Sequence, residues 1–354
     1  MSTNRACLLG LLLPLLFLAG CGNSSERTEQ TFGSDKLLHT LWFDGQLAGS
    51  DSDTARAVLA RPDLTPPLRT SPEYVAPSVP SALQGVITRI DPGDGRKVVA
   101  LTFDLCERAP YLAGYRREIV NYLRAQGVKA TFFAGGKWMR SHPEKTMQLM
   151  ADPLFELGNH TWTHGDLALM DEAEVRQQVE WTQAEYELLR EELAARAKAR
   201  GVDGEMTHVP DALRLIRLPY GRNNAQTTTI LAAMGLPVIQ WSVEGERGDR
   251  ERSLDSLLAW NLERVQPGGI ILLHANAVPH QTHLLVPRLV EALKERGYAF
   301  VTVSELLRLG PPVTVTDGYF TTPGDNLYLD HVFGGKGTLG RNKPVRKPGL
   351  LVVH

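Results

Sequence analysis

The chain has 354 residues, of which 43% are hydrophobic and 22% are charged, and its formal net charge is −2. This composition excludes a disordered polyampholyte, a coiled coil and a collagen-like chain, and it leaves a globular protein of one large domain or two medium ones. The near-neutral charge provides no broad positive field, so we expect no nucleic-acid partner.

The N-terminus has the pattern of a secretory signal, which we assign to residues 1–20. Arg5 is followed by the apolar run 6–19, which is shorter than the roughly 20 apolar residues that span a bilayer. The run ends in Leu18-Ala19-Gly20-Cys21, which resembles a bacterial lipobox. That resemblance implies that Cys21 is diacylated and becomes the mature N-terminus. The alternative is an ordinary signal with a cysteine at its end.

Residues 21–84 show no clear hydrophobic period and are rich in proline. Since proline fixes φ and removes a backbone donor, this composition predicts a flexible tether, and the lipobox resemblance implies that it is lipid-anchored. Gly22, rather than aspartate, follows Cys21, and in the lipobox resemblance this implies the periplasmic side of the outer membrane of a bacterial cell envelope. With Cys7 and Cys21 in the leader region, the folded part keeps Cys106 alone, so we predict no internal disulfide.

From residue 85 onward, segments with strand and helix patterns alternate. The predicted strands are 86–90, 97–103, 129–134, 155–158, 214–217, 237–241, 269–273 and 299–303, and the predicted helices are 115–126, 147–151, 171–201, 225–234, 254–265, 284–296 and 304–308. The first two strands flank the turn residues 91–95, which predicts a hairpin. The alternation predicts an α/β fold, a barrel-like domain of about seven parallel strands over residues 85–310.

The tail, residues 311–354, is predicted to be a C-terminal extension. Its turns separate aromatic residues, and we expect it to pack on the exterior of the barrel. The alternative is that Tyr319, Phe320 or Tyr328 lines a substrate groove.

Polar side chains follow the predicted strands at the points where they end. They are Asp104, His160, His164, Arg217, Tyr220, Glu244 and His274. In a barrel of parallel strands the functional site lies at the carboxyl ends, so we expect these groups to converge on one face.

Two of these residues have the types and spacing of metal ligands. His160 and His164 are four residues apart, which would bring both imidazoles to one side of a helical turn, and neutral imidazole suits zinc, cobalt or nickel. A purely structural role for the pair is the alternative. Asp104 follows a buried strand, where an unpaired carboxylate is costly, and Arg217 would supply its counter-charge.

His274 directly follows four apolar residues, so as a lone residue it would be a core histidine. Beside a carboxylate such as Glu244 it would instead be held as imidazolium and could donate a proton to a leaving amine. A metal ion on the histidine pair could polarise a carbonyl, the Asp104 carboxylate could activate water, and His274 could protonate the leaving group. Together these residues predict a metal-assisted hydrolase.

The motifs together resemble those of a known family. Thr102-Phe103-Asp104, His160-Thr-Trp-Thr-His164, Arg217-Leu-Pro-Tyr220 and Leu272-Leu-His274-Ala275 are similar, in order and placement, to the motifs of the NodB-homology polysaccharide deacetylases, carbohydrate esterase family 4. The resemblance covers residues 97–309. It implies a distorted (β/α) barrel and removal of N- or O-acetyl groups from polysaccharides such as chitin, peptidoglycan, poly-N-acetylglucosamine or xylan.

The resemblance also implies a role for each matching residue. Asp104 would be the catalytic base and His274 the acid, while Arg217 would orient Asp104. His160 and His164 would hold a divalent metal ion, zinc in the first place, with cobalt or nickel as alternatives. The backbone N–H of Tyr220 would help to stabilise the oxyanion.

The sequence departs from the family pattern at two positions. The family usually has Asp-Asp in the first motif, with the second aspartate on the metal, whereas here Leu105 follows Asp104. Either Asp104, Glu107 or Cys106 replaces that ligand, or metal binding is weak or absent; we expect Cys106 to be a small buried core thiol, with a thiolate ligand as the alternative. In the fourth motif Glu244 stands where the family commonly has aspartate, and it could still orient His274 or Arg217.

Two functions follow from these observations. The first is a metal-dependent hydrolase that removes N-acetyl or O-acetyl groups from a cell-envelope or extracellular polysaccharide. The alternative is a catalytically silent, lipid-anchored glycan-binding protein that uses the same groove, which Leu105 favours. The expected partners are an acetylated polysaccharide and, through Cys21, a membrane; the sequence indicates no protein partner.

Overall fold

The computed structural model describes residues 34–248, 251–278 and 280–341. The predicted signal peptide and Cys21 lie outside these described residues. The helices are α1 (Lys36–Leu41), α2 (Asp44–Ala48), α3 (Arg117–Ala125), α4 (Gly136–Ser141), α5 (Pro143–Ala151), α6 (Glu172–Ala199), α7 (Ala225–Ala233), α8 (Leu254–Arg264), α9 (Thr282–Glu295) and α10 (Val303–Leu306). The strands are β1 (Ala57–Val58), β2 (Val86–Ile90), β3 (Val98–Leu105), β4 (Tyr111–Leu112), β5 (Ala130–Ala134), β6 (Phe155–Asn159), β7 (Val238–Ile239), β8 (Val243–Glu244), β9 (Gly269–His274), β10 (Ala299–Phe300), β11 (Pro312–Val315), β12 (Phe333–Gly334) and β13 (Gly340–Arg341).

A curled and mainly parallel sheet forms the centre of the fold. Its strands lie in the order β11-β2-β9-β3-β5-β6, with β7 on β2, β8 on β9 and β10 on β3. Isolated parallel bridges from Ile216 to Asn159 and to Val238 connect β6 to β7, so the sheet curls towards closure. The prediction of an α/β fold with a distorted, barrel-like parallel sheet is confirmed.

The predicted hairpin between the first two strands is wrong. β2 pairs with β7, β9 and β11, and β9 lies between β2 and β3. The segment before β9 separates them, because Ile90 N–H donates to the Gly268 carbonyl and Gly268 N–H donates to the Val98 carbonyl. The turn residues 91–95 therefore form a connection between two strands that are not neighbours.

Alternation along β3 positions the site. Val99, Leu101, Phe103 and Leu105 belong to the large core cluster between sheet and helices, whereas Val98 and Ala100 belong to the cluster inside the barrel. Because side chains alternate along a strand, Asp104 faces the barrel interior and Leu105 faces the helices.

The tether prediction is wrong for residues 34–84. Leu37, Leu38, Trp42 and Leu47 are buried in the large core cluster, and the Trp42 indole donates to Glu144 at 2.9 Å. The apolar residues of Lys36–Trp42 recur at helical spacing, so α1 can bury one face against the domain. A tether over residues 21–33 stays a prediction, because they lie outside the described part.

The C-terminal extension lies beside the carboxyl end of the barrel. After β11, the Phe320 carbonyl accepts from the Trp241 indole at 2.8 Å, and the Lys336 carbonyl accepts from Asp166 N–H at 2.7 Å. Its Tyr319 is buried in the interior cluster, so this ring packs in the core and does not line a groove. The expected exterior location is therefore wrong for this part of the extension, which adjoins the site.

Among the described helices, none combines the length and the apolar character that crossing a bilayer requires.

Candidate active site

Asp104 and Arg217 form a buried ion pair at the centre of the site. Asp104 is the penultimate residue of β3, and its Oδ1 accepts a hydrogen bond from Arg217 Nη1 at 2.9 Å. Arg217 is fully buried, and its other nitrogens donate to the carbonyls of Ile239 and Gln240 at 3.2 and 3.0 Å. Arg217 thus holds the carboxylate in one orientation.

The two predicted metal ligands follow β6. His160 Nδ1 lies 2.9 Å from the Arg217 carbonyl, and its Nε2 lies 3.6 Å from Asp104 Oδ2. The His164 ring lies 4.9 Å from the His160 ring, centroid to centroid. A loop rather than the expected helical turn brings them together, with Thr161 and His164 in the left-handed region at φ 65° and 57°. Such strained backbone is typical of functional sites.

Cys106 lies beside this histidine pair, and its predicted role as a core thiol is wrong. Its side chain is half-buried, and Sγ lies 3.3 Å from His160 Nε2. Cys106 follows Asp104 by two residues, so strand alternation directs both side chains to the same face. The sequence contained this signal.

The charges in this cluster shift its pKa values. Burial by itself would raise the pKa of Cys106, but His164 and His160 bring it well below its usual range. Burial by itself would lower the pKa of His160, but the negative charges of Asp104 and Cys106 raise it. For His164 the effect of burial is larger than that of its neighbours, and its pKa is lowered. The cluster therefore favours a thiolate next to imidazole nitrogens.

His274 is oriented by Glu246 and not by Glu244, which corrects the sequence-based prediction. His274 Nδ1 lies 2.5 Å from Glu246 Oε2, and His274 N–H donates to Glu246 Oε1 at 3.0 Å. Burial would lower the pKa of His274, but the Glu246 carboxylate raises it well above its usual range. Glu244 contacts neither His274 nor Arg217 in the hydrogen bonds of the described residues; its Oε2 accepts from Arg247 at 3.1 Å.

The sequence had a signal for Glu246 that we missed. β8 ends at Glu244, and Gly245 follows it in close contact with Leu272 and Leu273 of β9. The next acidic side chain can therefore reach the end of β9. Glu246 stands two residues after Glu244 and was an equally good candidate for the carboxylate partner of His274.

Tyr220 lies at the edge of the histidine pair. Its backbone has φ 59°, its carbonyl accepts from Asn326 Nδ2 at 2.9 Å, and its hydroxyl donates to the Gly337 carbonyl at 2.7 Å. Its ring lies 4.5 Å from the His164 ring. The role of its N–H at an oxyanion stays a prediction.

Among the described residues, three groups bring potential metal-ligand atoms within 4.8 Å of one another. They are Cys106-His160-His164, Asp104-Cys106-His274 and Glu246-His274-His280. The first contains both predicted metal ligands. Glu107, another expected substitute ligand, is engaged elsewhere: it is fully buried and lies 2.6 Å from Lys137 Nζ.

This arrangement places a carboxylate and a histidine side by side at the ends of two neighbouring strands. Asp104 and His274 are paired positions of β3 and β9, and each is held by its own buried charged partner. A carboxylate that can act as a base, a histidine that can act as an acid and two imidazoles that can hold a metal ion are suited to metal-assisted hydrolysis of an acyl bond.

Sequence comparison identifies relatives of this chain. The family model described as polysaccharide deacetylase matches residues 91–197. The chain is 30% identical over 217 residues to a chitooligosaccharide deacetylase of Sinorhizobium fredii, which covers 58% of this chain and 90% of that protein. It is 32% identical over 216 residues to a bifunctional xylanase/deacetylase of Pseudobutyrivibrio xylanivorans, covering 60% of this chain but only 31% of that protein.

Solved structures show the same fold. The Bc1960 peptidoglycan N-acetylglucosamine deacetylase aligns with a TM-score of 0.52 and 22% identity, covering 67% of this chain and 99% of that one. A pseudoenzyme of carbohydrate esterase family 4 from Bacillus anthracis aligns with a TM-score of 0.51 and 24% identity, covering 64% and 70%. At these identities the likeness supports the fold alone.

Proposed function

Because the chain belongs to the polysaccharide deacetylase family, we propose that it hydrolyses N-acetyl groups of an envelope or extracellular polysaccharide. The observation that carries the proposal is the side-by-side placement of Asp104 and His274, each fixed by a buried partner, next to His160 and His164. The chitooligosaccharide deacetylase among the relatives supports a substrate with acetylated amino sugars.

In the proposed reaction Asp104 is the general base. Arg217 occupies its Oδ1, which leaves Oδ2 facing His160 and the open end of the barrel. Oδ2 accepts a proton from the attacking water, whose oxygen forms a bond to the acyl carbon. Removal of a positioned base typically lowers a rate by about 10²–10⁴-fold.

His274 is the general acid of the same reaction. Its Nδ1 is bound to Glu246, so Nε2 is the nitrogen that can donate to the leaving group. The Glu246 carboxylate keeps the ring protonated by raising its pKa. The Tyr220 N–H stabilises the oxyanion that forms when water adds to the acyl carbon. As this intermediate collapses and the C–N bond breaks, His274 Nε2 gives its proton to the leaving amine.

The donor set supports a divalent ion in this mechanism. His160 and His164 would hold it, and His164 Nδ1 is a buried nitrogen with no hydrogen-bond partner among the described residues. The chemistry that such an ion supplies is polarisation of a carbonyl and a lowered pKa of bound water. Imidazole ligands favour zinc, with cobalt or nickel as substitutes.

A second candidate function is a catalytically silent glycan-binding protein. The burial of Leu105 in the core favours it, because this side chain supplies no metal ligand. Release of acetate from N-acetylglucosamine oligomers by the metal-loaded protein separates the two functions. The enzyme releases acetate in step with free amines, and a silent binder retains the oligomers without releasing any.

We further propose that Cys21 carries the lipid anchor and holds the domain at the outer membrane, with residues 22–33 as a spacer. The lipobox-like Leu18-Ala19-Gly20-Cys21 supports this location. Cys21→Ser would move the protein from the membrane fraction of a diderm host to the soluble periplasm, while a Cys7→Ser control stays at the membrane. Equal membrane content of both variants contradicts the anchor.

A further inference from the structure

The residue after the catalytic aspartate cannot be a metal ligand in this chain. Leu105 lies in the large core cluster, together with Phe103 and Leu101 of the same strand face. Asp104 pairs with Arg217 through Oδ1 and is the proposed base through Oδ2, and Glu107 pairs with Lys137. A third protein ligand must therefore come from another side chain that reaches the histidine pair.

Cys106 is the side chain in that position. Its Sγ, His160 and His164 offer ligand atoms within 4.8 Å of one another, and Sγ lies 3.3 Å from His160 Nε2. In a tetrahedral zinc site, bonds of about 2.0–2.3 Å separate neighbouring ligand atoms by about 3.3–3.6 Å. The cluster needs only small side-chain adjustments to enclose an ion.

The orientation of His160 is that of a metal ligand. Its Nδ1 lies 2.9 Å from the Arg217 carbonyl and must be the donor there, so Nε2 is the nitrogen that faces Cys106 and can reach an ion. A backbone carbonyl on the remote ring nitrogen is the usual device that orients a ligating histidine. His164 Nδ1 is buried and has no hydrogen-bond partner among the described residues, so this side chain also has a nitrogen that is available to a bound group.

We propose that Cys106, His160 and His164 form a metal site with one thiolate and two imidazoles, in which Cys106 replaces the family's usual carboxylate ligand. This inference rests on the proposed function, which supplies the need for an ion. A thiolate selects zinc or cobalt over magnesium, calcium and manganese, so the site is softer than a carboxylate site. The net ligand charge is the same, because a thiolate replaces a carboxylate.

Cobalt substitution tests the thiolate directly, because sulfur bound to Co²⁺ gives a charge-transfer band in the near ultraviolet. The full-length protein loaded with Co²⁺ shows this band, and Cys106→Ser loses it together with about 100-fold or more of its zinc affinity, a larger loss than that from an outer-shell change. The control with Cys7→Ser and Cys21→Ser keeps both. Cys106→Asp keeps metal binding without the band, which shows that loss of the band is not loss of the fold.

A wild-type cobalt protein without the band, or a Cys106→Ser variant with unchanged band and zinc affinity, overturns the proposed ligand. These readouts do not depend on turnover. If the cobalt protein shows the charge-transfer band but the protein releases no acetate, the proposed function is contradicted and the metal site stands. If the protein releases acetate but shows no band, the Cys106 ligand is contradicted and the proposed function stands.

Discussion

Asp104 and His274 are directly paired on the adjacent parallel strands β3 and β9, at the carboxyl end of each strand. The proposed base and acid are therefore held at a fixed separation by backbone hydrogen bonds and not by flexible loops. Arg217 and Glu246 then fix the direction of each side chain from opposite sides. Placement of reacting groups on rigid elements is what catalysis needs from a scaffold.

We expect Glu246→Gln to move the alkaline limb of the pH profile. The Glu246 carboxylate raises the pKa of His274 against the opposing effect of burial, and the acid must be protonated to act. Activity is thus present below that pKa and lost as the pH rises through it. Removing the charge lowers the pKa, so kcat/KM of the variant begins to fall at a lower pH.

Glu244→Gln is the matched control for this measurement, because Glu244 contacts Arg247 and Thr321 instead of His274. Its alkaline limb stays where the wild-type limb is. Coincident profiles for Glu246→Gln and the wild-type protein contradict the assignment of Glu246.

The buried pair of Lys137 and Glu107 stabilises the loop that follows β3. Both side chains are fully buried, and Glu107 also accepts from Ala113 N–H and Ser141 Oγ. Lys137→Met leaves a buried carboxylate without its charge partner, so we expect the free energy of unfolding to fall by about 3–5 kcal/mol in urea denaturation. Combination with Glu107→Leu recovers part of the loss.

Arg176→Met serves as the comparison, because its ion pair with Glu172 is exposed and is worth less than about 1 kcal/mol. Losses of equal size in the Lys137 and Arg176 variants contradict a structural role for the buried pair.

We expect Leu105→Asp to lower stability instead of adding a metal ligand. The side chain faces the helices and lies among Phe103 and Leu101, so an aspartate would bury an unpaired carboxyl group. The free energy of unfolding falls by at least about 3 kcal/mol, whereas Leu105→Met, which keeps volume and polarity, costs less than about 1.5 kcal/mol. A Leu105→Asp variant of wild-type stability and higher zinc affinity contradicts this orientation.

Asn326 positions the backbone of Tyr220 from the C-terminal extension. Its Nδ2 donates to the Tyr220 carbonyl at 2.9 Å and the residue is fully buried. Asn326→Ala lowers stability by about 1–3 kcal/mol and lowers kcat, because the Tyr220 N–H loses its fixed direction towards the oxyanion.

Asn223→Ala is the control for this prediction. Asn223 is also buried, but it donates to the Thr316 carbonyl at 2.8 Å and not to Tyr220. We expect a similar loss of stability with an unchanged kcat. If kcat falls equally in both variants, Asn326 acts only through the stability of the extension.

The sequence predicted those site residues that follow well-patterned strands. Asp104 and His274 lie at the carboxyl ends of apolar strands and His160 directly follows one, and parallel strands end at one edge of a sheet. Arg217 follows an isolated bridge at Ile216 and not a full strand. It could still be predicted, because the buried carboxylate of Asp104 requires a cation, and in the structure Arg217 donates to that carboxylate.

The remaining residues depend on tertiary contacts that local patterns do not determine. Glu244 and Glu246 are both carboxylates near the end of β8, and the turn at Gly245 directs Glu246 towards His274. The sequence alone does not determine the direction of this turn. Leu37 lies in the short helix α1 and Trp42 directly follows it, and the burial of both requires a partner face far away in the chain. Cys106 is an exception, because strand alternation puts its side chain on the same face as that of Asp104.

The most direct test of the proposed reaction is acetate release from N-acetylglucosamine oligomers by the zinc-loaded protein and by its Asp104→Asn variant. The variant keeps the shape of the side chain and loses the base. We predict about 100-fold or greater loss of acetate release with retained oligomer affinity and a cooperative unfolding transition. Equal acetate release by both proteins, or no release by the wild-type protein from chitin, peptidoglycan or xylan substrates, contradicts the account.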